Sequence, residues 1–150
     1  MEKVIQIDID SETELYERYN SNQVSSELVE YIIDSARECT KKDTIKLEIN
    51  KQNIKEECVP LIKEGLKLKY RKNEIHKNKN DIKQFFMLLG GAISLMLSTI
   101  LGETIFNEIA LIGGWVLIWE TIESNLFDDS KTKMENKLIE RILKSEFIEK

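Results

Sequence analysis

The sequence predicts an α+β fold: a small cytoplasmic domain with a two- to three-stranded sheet and helices, joined to a two-helix transmembrane hairpin. Three observations predict it. Residues 84–102 and 109–119 contain no charged side chain, while the rest of the chain is dense in Lys, Glu and Asp. Two short stretches, 4–9 and 44–49, alternate apolar and polar residues, the signature of half-buried strands. Between them lies a stripe at helical spacing, Leu28, Val29, Ile32, Ile33, Ala36 and Cys39.

The first strand places Ile5, Ile7 and Ile9 on one side and Gln6 and Asp8 on the other. Ser11 and Glu14 match a capping box, so a short helix is expected to run to about Tyr19, followed by a turn over 20–23. Ser25 or Ser26 then caps the striped helix, which is expected to reach Thr40. The second strand turns Ile45, Leu47 and Ile49 inward. Asn53 is expected to open a further helix with Ile54, Cys58, Leu61 and Ile62 on one face, kinked or delayed by Pro60 and stopped by Gly65. Residues 66–70 read Leu-Lys-Leu-Lys-Tyr. They fit a third strand, which a marginal two-stranded sheet would need, or the start of a basic helix. A crossover between paired parallel strands is expected to be right-handed.

The uncharged run 84–102 has 19 residues, close to the roughly 20 that cross a bilayer as a helix. The second apolar segment, 105–126, has an uncharged middle flanked by Glu108, Glu120 and Glu123. Trp115 and Trp119 lie one turn apart in it, as aromatic anchors at a membrane interface often do. The expected divisions are a cytoplasmic domain over 1–70, a basic juxtamembrane linker over 71–83, the hairpin over 84–127 with spans at 85–101 and 105–126, and an amphipathic cytoplasmic tail over 128–150. That tail carries Met134, Leu138, Ile142 and Phe147 and is expected to be a helix on the membrane surface or packed on the domain.

Charge orients the hairpin. Residues 1–62 carry eight Lys/Arg against fourteen Asp/Glu, residues 63–83 eight against three, and residues 84–127 four Glu and no base. Both basic flanks are therefore expected on the cytoplasmic side and the tight turn outside. Lys77, Lys79 and Lys83 are expected to meet anionic lipid headgroups rather than nucleic acid. An antiparallel hairpin turning near Glu103 should pair positions summing to about 206. Glu123 would then oppose Lys83, and Gly113 and Gly114 would lie beside Gly90 and Gly91, small residues that let membrane helices approach. Glu120 and Glu123 are expected to reach the interface and pair with Lys83. The sharper alternative is an ion-conducting oligomer lined by Glu108 and Glu120, because an ionisable side chain at membrane depth points to function.

Catalytic chemistry has little material. There is one histidine, His76, and two cysteines, Cys39 and Cys58, which fall on inward helix stripes. Asp8, Asp10, Glu12 and Glu14 imitate the start of a calcium loop, but Thr13 stands where Gly is required and Tyr19 where Glu is required. No Gly-rich phosphate loop occurs, and no metal or cofactor is expected. The start lacks a basic region followed by an apolar one, so no cleavable signal peptide is expected. Abundant Lys and Asn fit a bacterial chain.

Residues 28–32 (Leu-Val-Glu-Tyr-Ile) and 114–120 (Gly-Trp-Val-Leu-Ile-Trp-Glu), taken with the order of parts, resemble a group of small bacterial membrane proteins. These have a short cytoplasmic α/β region, two membrane helices and a charged tail. The resemblance implies a location and no activity. The expected function is a non-enzymatic inner-membrane protein, both termini cytoplasmic, whose soluble domain binds a partner or itself within a larger system.

Overall fold

The computed structural model of the chain describes residues 2–18, 20–40, 43–51, 57–102 and 104–150. The elements are β1 (Glu2–Ile9), α1 (Glu12–Leu15), β2 (Tyr16–Glu17), β3 (Asn20–Val24), α2 (Ser26–Arg37), β4 (Thr44–Lys51), α3 (Cys58–Ile100), α4 (Ile105–Leu143) and β5 (Glu146–Glu149). They form two compact units, residues 1–73 with 134–150, and residues 74–133.

The first unit is built on a three-stranded sheet in the order β1-β4-β5, with both pairings parallel. Alternation does what the sequence predicts: Ile5, Ile7, Ile9, Ile45, Leu47 and Ile49 are all buried on one face. The α2 stripe covers them with Val29, Ile32, Ile33 and Ala36. Cys58, Ile62 and Leu66 of α3 and Ile139 and Ile142 of α4 complete the core. Burying a Leu, Ile or Val side chain is worth about 1.5–3 kcal/mol, so α3 and α4 are integral to this unit. The opposite sheet face is polar, with Asn50 Nδ2 donating to Asp8 Oδ1 at 2.7 Å.

Several expectations are corrected. Residues 66–70 are helical, and the third strand is β5. The stripe Cys58, Ile62, Leu66 and Tyr70 recurs every four residues, and this helical face overrides the local alternation. α3 begins at Cys58, so Pro60 stands in its first turn, where its missing N–H would have no partner in any case. Gly65 does not stop the helix. A Cβ there would lie 2.9 Å from Val29 Cγ2, so glycine lets α3 press against α2. Asn53 and Ile54 lie outside the described residues.

α1 ends at Leu15 and the chain turns into β2, while 20–24 is a strand antiparallel to β2 rather than a turn. α2 ends at Arg37. Residues 71–83 are part of α3, and the amphipathic stretch 128–143 is part of α4. Residues 134–150 belong to the first unit, since Ile139 and Ile142 are fully buried and β5 pairs with β4.

Candidate functional site

The second unit is an antiparallel pair of helices, the α3 part after residue 73 and the α4 part before residue 134. Each contains a segment long and apolar enough to cross a membrane, and only 17% and 11% of those segments is buried within the chain. Gly102 adopts φ +65 at the end of the first segment, a left-handed conformation in which a side chain would be strained.

The seam between the helices is small and polar. On α3 the buried positions are Gln84 (7% exposed), Gly91 and Ser98 (6%), seven residues apart. On α4 they include Gly114 and Thr121 (9%), again seven apart. That is the spacing of a helical seam, filled with the wrong residues for water. The large side chains point away from it: Phe86 and Trp119 are each 65% exposed, and Phe85, Met96, Ile112, Trp115 and Leu126 are similarly open.

The two backbones approach closely at Gly91 and Gly114. A Cβ on Gly91 would stand 2.9 Å from Ile118 Cγ1 and 3.1 Å from the Gly114 carbonyl oxygen. A Cβ on Gly114 would stand 2.9 Å from Leu95 and 3.0 Å from the Gly91 carbonyl oxygen. Gly90 and Gly113 are less constrained, with nearest atoms at 3.6 and 3.9 Å. Of the four glycines expected to pack the hairpin, one reciprocal pair makes the closest contact.

Hydrogen bonds stitch the same seam. Ser94 Oγ donates to the Ala110 carbonyl at 2.7 Å. Asn80 Nδ2 donates to Ser124 Oγ at 3.1 Å and to Asp129 Oδ1 at 3.2 Å, and Gln84 Nε2 donates to Ser124 Oγ at 3.2 Å. Asp129 is buried in this cluster. Sequence reasoning missed these residues because it sought an apolar face. The signal was present as Gln84, Gly91 and Ser98, small or polar residues seven apart on α3.

Lys83 lies 3.4 Å from Glu120, so the expected ion pair forms with Glu120 and not with Glu123. The two positions sum to 203, while Gly91 and Gly114, where the backbones meet, sum to 205, close to the expected 206. Glu120, Glu123, Trp115, Trp119 and Val116 line an open cleft of 440 Å³ on the outer side of α4. Glu108 is exposed in the first turn of α4, where its charge complements the helix N-terminus. It sits about 120° around the helix from Glu120 at 3.6 residues per turn, so the two do not share a face. Lys79 is exposed, Lys77 half-buried and His76 exposed. Neither Cys39 nor Cys58 is in a disulfide, and both are buried. Among the described residues, no three His, Cys, Asp or Glu side chains gather as a metal site. No protein-family profile, characterised protein or solved structure matches the chain.

Proposed function

We propose that this chain is a two-pass protein of a bacterial inner membrane, with its α+β domain and both termini in the cytoplasm. It acts without catalysis, as a membrane-bound interaction or regulatory component of a larger system. The observation that carries the reading is the inverted hairpin: Gln84, Ser98 and Thr121 are inside while Phe86, Trp115 and Trp119 are outside. In water this arrangement forfeits the burial that drives helix association. In hydrocarbon it is favourable on both counts, since large apolar side chains meet lipid and polar groups find partners across a close helix contact.

Basic residues supply the orientation. None occurs in 84–127, and eight occur in 63–83, which supports a cytoplasmic location for both flanks. Lys79 and Lys83 are exposed to meet anionic headgroups. The soluble unit supports an interaction role through β1, an edge strand of eight residues that pairs only with β4 among the described strands.

Reporter fusions test this. Alkaline phosphatase joined after Gly102 should be active and, joined after Lys150, inactive, with the reverse pattern for a fluorescent protein that folds only in the cytoplasm. Phosphatase activity at Lys150, or none at Gly102, would overturn the orientation. Recovery of the untagged chain in the soluble fraction would overturn the membrane assignment.

A further inference from the structure

The first unit holds a groove of 690 Å³ between β3 and the start of α3 that the membrane reading does not use. Its volume falls in the range of sites for small organic ligands, about 300–1,000 Å³. Its chemistry is divided into three parts. Lys63, Lys67 and Arg71 line one side. At four-residue spacing they form one stripe on α3, reaching about 12 Å at 1.5 Å per residue. Val24, Leu61 and Leu68 supply an apolar floor, and the amides of Asn20 and Gln23 stand on the β3 wall.

The charge in this groove is not neutralised internally. Elsewhere in the unit Lys46, Lys51, Lys69, Lys150 and Arg37 each pair with a carboxylate. Among the described residues no carboxylate pairs with Lys63, Lys67 or Arg71. Glu64 is the one acid on the lining. Lys63 Nζ lies 4.5 Å from the centroid of the Phe147 ring, a residue outside the groove lining. A row of cations without carboxylate partners beside an apolar floor fits a ligand that joins several negative charges to a flat apolar body. The guanidinium of Arg71 suits both phosphate oxygens and an aromatic face. Side-chain amides match the mixed donors and acceptors on a heterocycle edge.

We propose that this groove is a binding site for a nucleotide, with its phosphates along Lys63, Lys67 and Arg71 and its base on Val24, Leu61 and Leu68. The proposal does not depend on the membrane reading. The full-length chain in a non-ionic detergent is titrated by calorimetry with ATP, inorganic triphosphate and adenosine. ATP should bind at least ten-fold more tightly than either half. Lys67→Glu and Arg71→Glu should each weaken ATP at least ten-fold. Lys72→Glu, exposed and outside the groove, should change it less than two-fold, with thermal unfolding of all three variants as the check on folding. The proposal is overturned if triphosphate binds as well as ATP, or if Lys72→Glu costs as much as Lys67→Glu. It is also overturned if ATP does not bind while phosphatidylglycerol vesicles or a polyglutamate peptide do.

Discussion

Glu149, next to the last residue of the chain, lies 2.7 Å from Lys51 Nζ at the end of β4. Its Oε1 also accepts the Cys58 N–H at 3.1 Å, where α3 begins. One carboxylate thus joins two strands of the sheet and caps a helix whose own first turn carries no acid. Burial raises the Glu149 pKa, but the Lys51 hydrogen bond and the amides of Cys58 and Val59 outweigh it and hold the carboxyl below its ordinary 4.5. The Glu149 hydrogen bond in turn raises Lys51 above its ordinary 10.5.

These shifts set a pH window. The Glu149 contribution is fully present above about pH 4.5 and is lost as pH falls through its lowered folded value. The Lys51 contribution is fully present below about pH 10.5 and is lost as pH rises through its raised folded value. Glu149→Gln should therefore destabilise the chain at pH 7 by about 1 kcal/mol, the usual worth of a helix cap. The difference from wild type should shrink at acid pH. Chemical denaturation in detergent at pH 7 and pH 3 measures both, and an equal penalty at the two pH values would contradict the assignment.

The first unit needs both ends of the chain. Residues 1–73 alone lack Ile139 and Ile142 and leave the β5 side of β4 unpaired. A 1–73 fragment should show no cooperative thermal transition by circular dichroism. Joining 1–73 to 134–150 through a short Gly/Ser linker should restore one. A cooperative transition in the fragment alone would show that α4 and β5 are dispensable.

Close approach at Gly91 and Gly114 gives a graded series. Gly91→Ala puts a methyl group against Ile118 and the Gly114 carbonyl, and overpacking of this kind costs about 1–3 kcal/mol. Gly113→Ala, whose Cβ meets nothing nearer than 3.9 Å, should cost less than about 0.5 kcal/mol. Unfolding of the two variants in mixed micelles ranks them, and equal effects would mean that the seam is not packed at this point.

The Lys83–Glu120 pair is open on both sides, with side chains 64% and 53% exposed. Exposed pairs of this kind contribute about 0–1 kcal/mol. Glu120→Gln should therefore leave stability nearly unchanged, and it should leave the ion permeability of reconstituted vesicles equal to that of wild type. Loss of a wild-type conductance in this variant would instead support an ion-conducting assembly.

Elements with a strong local period were legible in the sequence. β1 and β4 each carry three inward apolar residues at one spacing and α2 carries five, and all three form close to where expected. β5 was not legible because it has four residues and takes its register from Leu47, which pairs with Phe147 across the whole hairpin. Residues 66–70 satisfied two periods at once, and the buried stripe begun at Cys58 decided between them. In the hairpin, Lys83 and Glu120 were legible in advance, but which of Glu120 and Glu123 meets Lys83 is a choice within one helical turn that counting positions does not resolve. The polar seam of Asn80, Gln84, Ser124 and Asp129 was not legible because its partners lie 40 or more residues apart and meet only through side-chain hydrogen bonds across the hairpin.

The central claim is that the outer face of the hairpin meets hydrocarbon. Trp115 and Trp119 are the chain's two tryptophans, and both point outward. Fluorescence of the chain in vesicles of lipids brominated along the acyl chain reads that face directly. Strong quenching is expected, greater for Trp115 (in Trp119→Phe) by deep bromines than for Trp119 (in Trp115→Phe). Emission that is unchanged from that in unbrominated vesicles, for both tryptophans and at every bromine depth, would contradict it.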